Sequence, residues 1–251
     1  MGLTQEGPAD AETERLLATA TRYGGALLPP LTAGDLYALC GESQITLEGE
    51  EAAWWAGMTE PGRAAMKAVA VDMLLSRNLL VPGPEGTYDV APGVAVTLAA
   101  RQDPSVMVAC TRPDGVTAWA PKLYGIGDPG ERPHAIVLEI VMDKIHGLFG
   151  PLHEFGLMSV DAAVRFLTWW VQTPFRARYT RKEPPRQVTV FRAPAADPGG
   201  DLECHELVIT LAANGTLGVT VERDDGAPET VTCEPRSLAR LLSRLLGPLP
   251  A

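Results

Sequence analysis

CHELVITLAANGTLGVTVERDDGAPETVTCEPRSLARLLSRLL, residues Cys204 to Leu246, reads as three strands followed by a helix. Runs rich in Val, Ile, Thr and Leu cover Cys204 to Ala212, Thr216 to Arg223 and Thr230 to Cys233. Asn214-Gly215 joins the first two, because a tight hairpin needs positive φ at its central residues and Asn-Gly tolerates it. Pro235 then opens a helix to Leu246 with repeated leucines, and Arg236, Arg240 and Arg244 fall in one i, i+4 row. Hairpin-linked strands closed by a helix predict an antiparallel sheet with a helix packed on it, the signature of an α+β fold.

The same grammar continues upstream. Gln187 to Arg192 reads as a strand, and Val160 to Val171 as an amphipathic helix carrying Val164, Phe166, Leu167 and Trp170, stopped by Pro174. Ala135 to Met142 alternates, with Ile136, Leu138, Ile140 and Met142 on one side and Val137, Glu139, Val141 and Asp143 on the other, as in a strand with one wet face. Val106 to Thr111 is expected to meet Val116 to Ala120 across a turn at Asp114-Gly115. Val94 to Arg101 reads as a helix. Before it, Thr59 and Pro61 mark the start of a helix that places Met66, Val69, Ala70, Met73 and Leu74 on one stripe. Leu79 to Val81 and Tyr88 to Val90 flank PGPEG as a small hairpin. With the helix capped at Thr32 and the short run Ile45 to Leu47, this element order is winged-helix-like. The predicted architecture is α+β, antiparallel sheets with packed helices in two similar halves, with a winged-helix-like N-terminal part. The divisions are residues 1–30, an acidic extension with one helix; 31–150, an N-terminal α+β half; and 151–251, a C-terminal α+β half.

Charge narrows the functional classes. The net charge is −10, and residues 1 to 60 hold ten carboxylates against Arg15 and Arg22, a net of −8. Duplex nucleic acid is repelled by most of such a surface, and the helix beginning after Thr59 offers only Arg63, Lys67 and Arg77, opposed by Glu60 and Asp72. The first residues carry acids where a secretory signal has cations, and no uncharged run reaches the roughly 18 apolar residues of a membrane span. A cytoplasmic protein that binds neither nucleic acid nor membrane is expected.

Chemistry-bearing motifs are weak. GIGDPG, Gly125 to Gly130, satisfies G-x-G-x-x-G by letter, but Pro129 interrupts it and no helix follows, so it reads as a turn. The histidines are His134, His146, His153 and His205; His146 and His153 lie seven apart with Glu154 beside the second, short of the ligand count that zinc needs. Glu139 and Asp143 read as a solvated strand face. No serine sits in a nucleophile elbow. The four cysteines carry no C-x-x-C pair and read as free thiols, with Cys204 and Cys233 in neighbouring strands of one sheet. No catalytic residue, metal ligand or cofactor is therefore assigned, and the chain is read as a non-enzyme. What stands out is Arg176, Arg178, Arg181, Lys182, Arg186 and Arg192, six cations against Glu183 in an acidic protein. Arginine forks pair carboxylates bidentately, so the first five of these, with Trp169, are the candidate partner-binding residues. The competing reading is that the basic segment neutralises the acidic N-terminal residues of the same chain.

SRNLLVPGPEGTYDVAPGVAVTLAARQDPSVMVACTR, Ser76 to Arg112, and EPRSLARLLSRLLG after the strands ending at Cys233 together resemble the EspG-type proteins associated with ESX (type VII) secretion in actinobacteria. The resemblance covers about a third of the chain, and the acidic segment before Pro30 departs from it. It implies a mixed α/β fold and a non-enzymatic cytosolic chaperone that binds the helical tip of a secreted protein. No binding residue carries over position by position. The alternatives from other classes are a winged-helix DNA-binding regulator and a hydrolase using His146 or His153.

Overall fold

A computed structural model describes residues 9–41, 49–111, 120–128, 131–145, 149–172, 186–192, 203–211, 216–222 and 229–246. The chain divides into two units, one built from residues 1–103, 117–119 and 139–157 and the other from 104–116, 120–138 and 158–251. The fold is α+β, with antiparallel sheets and packed helices. Among the described residues no helix is long and apolar enough to cross a membrane.

The first unit begins with α1 (Ala9–Tyr23), which packs against strand β1 (Ala26–Thr32) and helix α5 (Pro92–Gln102) and buries Ala20. β1 pairs antiparallel with β7 (Pro151–Met158), and its register shifts between Leu28 and Leu31, where Pro29-Pro30 cannot donate to the ladder. α2 (Ala33–Cys40) starts from a reciprocal capping box. Asp35 N donates to Thr32 Oγ1 at 3.1 Å, and Thr32 N donates to Asp35 Oδ2 at 2.8 Å. α3 (Gly49–Ala56) carries Trp54 and Trp55 against α4 (Glu60–Ser76), whose cap is Thr59, its hydroxyl accepting from Gly62 N at 3.3 Å. Trp55 and Met66 form a core cluster with Tyr37, Trp54, Met58 and Phe149 packed around it. α4 ends at Ser76 with Arg77 as its C-cap, and Asn78 turns the chain with φ 55 into the hairpin β2 (Leu80–Pro82) and β3 (Tyr88–Val90).

In the second unit, β4 (Val106–Thr111) pairs antiparallel with β5 (Pro121–Ile126), Met107 opposite Tyr124. The partner expected at Val116 to Ala120 lies, save for Ala120, outside the described residues, and the observed partner begins just after it. β6 (Ala135–Ile145) follows β5 in the sheet, and its later residues neighbour β7 in the first unit. On the other side of β4 come β8 (Arg186–Arg192), β9 (Glu203–Leu211), β10 (Leu217–Glu222) and β11 (Glu229–Cys233), in that order and all antiparallel. α6 (Val160–Gln172) packs on β9 and on α7 (Pro235–Leu246). The inward residues of the strands, Val108, Val188, Val190, Leu207, Ile209, Leu217 and Val219, are buried, as period-two alternation requires when one face meets helices.

Two expectations change. β6 has no wet face at its centre, because Val137 and Glu139 are buried as fully as Ile136. Cys204 and Cys233 are not in neighbouring strands: β10 lies between β9 and β11, and all four cysteines are free thiols.

Candidate functional site

Helix α6 divides its two tryptophans between faces. Ala163, Val164, Leu167, Trp170 and Val171 recur at three- and four-residue steps and are buried, so Trp169 must point the other way. It is 58% exposed, with its ring centroid 5.8 Å from that of Phe166. Trp170 is buried and receives the guanidinium of Arg186, 5.2 Å from its ring centroid. Arg186, at the first position of β8, is only 4% exposed. A cation on an indole face is electrostatically favoured, and its aliphatic stem adds apolar packing. Of the six residues assigned to partner binding, Trp169 is therefore on the surface and Arg186 in the interior; Arg176, Arg178, Arg181 and Lys182 lie outside the described residues. So does any pairing of the basic segment with the first residues of the chain.

α7 presents a second split. Leu238, Leu242 and Leu246 are buried, while Arg236, Arg240 and Arg244 are exposed. Three buried leucines at about 1.5–3 kcal/mol each account for the attachment of the helix without help from its cations.

The most closely knit polar group is internal to the first unit. His153 Nδ1 lies 2.6 Å from Glu139 Oε1, and Arg101 Nε lies 3.5 Å from Glu139 Oε2, all three side chains being shut off from solvent. The imidazole stacks near the Phe155 ring at 6.2 Å. β6, β7 and the end of α5 supply one member each, so the cluster cross-links three elements. Sequence reading placed Glu139 on a solvated face and did not see β7 at all. The alternation of Pro151, His153, Phe155 and Leu157 as buried positions is the signal that could have found it. A second buried carboxylate, Asp35, accepts from Arg77 Nη1 at 3.2 Å in addition to its role in the capping box.

Of the other histidines, His134 is exposed beside the turn after β5, His205 is half-buried on β9, and His146 lies outside the described residues. Among the described residues no three His, Cys, Asp or Glu side chains gather as a metal site. GIGDPG is not wholly the turn expected, because Gly125 and Ile126 are the last two residues of β5. A Cβ at Gly125 would fall 2.5 Å from Val106 Cγ1 and 2.9 Å from Pro133 Cγ, so the residue is small because strand and loop pack directly on it. Burial raises the Cys110 thiol pKa far above its ordinary value, with the nearby Arg186 charge pulling weakly the other way; burial likewise raises Cys40 and Cys233. These thiols are poor nucleophiles. No protein-family model matches this chain, and no curated protein matches it in sequence.

Proposed function

We propose that this chain is a non-enzymatic, cytoplasmic protein-binding chaperone or adaptor of the EspG type, acting on a secreted helical partner. The observation that carries the reading is the exposed indole of Trp169 on a helix whose next residue, Trp170, is locked into the core. Tryptophan is enriched among the residues that carry binding energy at the centre of protein interfaces, because it covers much area and loses little conformational freedom. In this reading Arg176, Arg178, Arg181 and Lys182 steer acids of the partner toward that helix. The two α+β halves are taken as similar, because a helix with antiparallel strands recurs in both. Co-purification from the native cytosol followed by mass spectrometry tests it: wild type should recover a small helical secreted protein, and Trp169→Ala should lose it while keeping its thermal midpoint. Recovery of a DNA fragment or a small metabolite would sink the reading.

The second reading is a winged-helix regulator, favoured by one observation, the β2–β3 hairpin that directly follows α4. Salt-dependent retention on DNA tests it, and the net charge of −10 predicts that retention is weak.

A further inference from the structure

Among the described residues nothing accounts for the row of arginines on α7. Arg236, Arg240 and Arg244 stand at four-residue steps on the exposed side of the helix. Among the described residues none of them has a hydrogen bond or ion pair. The helix PRSLARLLSRLL contains no Asp or Glu, so each arginine's four-residue neighbour is another cation, a spacing that weakens an isolated helix. Arg236 also sits in the first turn, at the positive end of the helix dipole, where a cation is disfavoured. The leucines on the opposite face already hold the helix in place. Within the helix itself, a stabilising role accounts for Arg244 alone.

We propose that the outer face of α7 is a docking surface for a carboxylate-bearing helix of a protein partner, each arginine taking one Asp or Glu. Successive guanidinium positions are about 6 Å apart and the row spans about 12 Å, at 1.5 Å per residue. A second helix laid alongside repeats its own side chains at the same i, i+4 interval, so acids spaced by four meet the row in register. All three cations are arginine, whose planar fork takes a carboxylate bidentately where lysine offers a point charge. A membrane surface is disfavoured because the apolar face that such a helix would insert, Leu238, Leu242 and Leu246, is already buried against the protein. Nucleic acid is disfavoured because only three phosphates would be neutralised by a chain of net charge −10. This inference rests on the proposed function only in taking the partner to be a helical protein, and it adds the partner's chemistry and the place where it binds.

The test uses the full chain and a fluorescent helical peptide of about four turns with Glu at every fourth position, beside a peptide of the same composition with its acids scattered around the helix. The expected result is tighter binding of the matched peptide by about tenfold, equivalent to about 1.4 kcal/mol. Arg236→Gln, Arg240→Gln and Arg244→Gln together should remove that advantage, with an unchanged melting temperature showing that the fold survives. The three corresponding Arg→Lys changes should keep the salt dependence and lose the preference for the matched peptide. Equal binding of both peptides, or unimpaired binding by the glutamine variant, overturns the proposal. So does tighter binding of phosphatidylserine vesicles or of duplex DNA than of the matched peptide. Native co-purification separates this failure from failure of the chaperone reading: a partner lost with Trp169→Ala but retained by the glutamine variant overturns the α7 surface alone.

Discussion

His153 Nδ1 and Glu139 Oε1 lie 2.6 Å apart in a part of the first unit that water does not reach, and Arg101 approaches the same carboxylate at 3.5 Å. Removing the anion takes its carboxylate away from a buried guanidinium, which costs more than the pair contributes when intact. Glu139→Ala should lower unfolding stability by about 3–5 kcal/mol, read from the urea midpoint. Combining Glu139→Leu with Arg101→Met should recover much of that loss, since both buried charges are then gone. A Glu139→Ala midpoint equal to wild type would show that the carboxylate does not stabilise the cluster.

Asp35 performs two tasks with one side chain, closing the capping box of α2 and accepting from Arg77. Thr32→Ala leaves both of these and removes only the reciprocal bond, from Asp35 N to the threonine hydroxyl, and should cost about 1 kcal/mol. Asp35→Ala removes both from a buried position and should cost about 2–4 kcal/mol. Chemical denaturation of the two variants side by side checks the order, and a larger loss for Thr32→Ala would contradict it.

Gly125→Ala drives a methyl group into Val106 and Pro133. The expected cost is about 1–3 kcal/mol from overpacking. Gly150→Ala should also destabilise: its φ of 72 is unfavourable for any side chain, and the new Cβ would meet the Trp54 ring at 2.7 Å. Thermal melts measure both.

Thiol chemistry should sort the cysteines by burial. Cys204 is exposed and Cys110 buried, so an alkylating reagent should label Cys204 in the native protein and Cys110 only on unfolding. The folded Cys110 thiol stays protonated above its ordinary value of 9.0, whereas the unfolded one ionises there. Below about pH 9 both states hold the proton and the full stability is present; above it the unfolded state alone releases its proton, so stability falls as pH rises. Cys110→Ala should flatten that alkaline decline, measured as unfolding free energy from pH 8 to about pH 11.

Local signals were legible in the sequence and distant ones were not. Thr59 and Pro61 set the start of α4, Pro235 that of α7, and the limits Val106–Thr111 for β4 coincide with the apolar run. Each of these depends on residues within one or two turns. β7 is held between β6 and β1, the latter more than a hundred residues earlier, and a reader meeting GPLHEFG alone sees two glycines and a proline. The same holds for charge. Glu139 looks like one polar residue in an alternating strand until Arg101 and His153 arrive from other elements to make its burial tolerable. Within the candidate site, the division between Trp169 and Trp170 follows from helical periodicity and was within reach. The burial of Arg186 depends on the position of Trp170 across the unit and was not.

Pro29-Pro30 has a further consequence. β1 ends the strand order of its sheet, and a terminal strand with free N–H and C=O groups is a template on which another chain can polymerise. Two prolines and the register shift beside them remove donors and bend the strand just where such growth would start. Leu27, the apolar side chain most open to water on that strand, thus stands beside a stretch of edge that offers an incoming strand fewer donors.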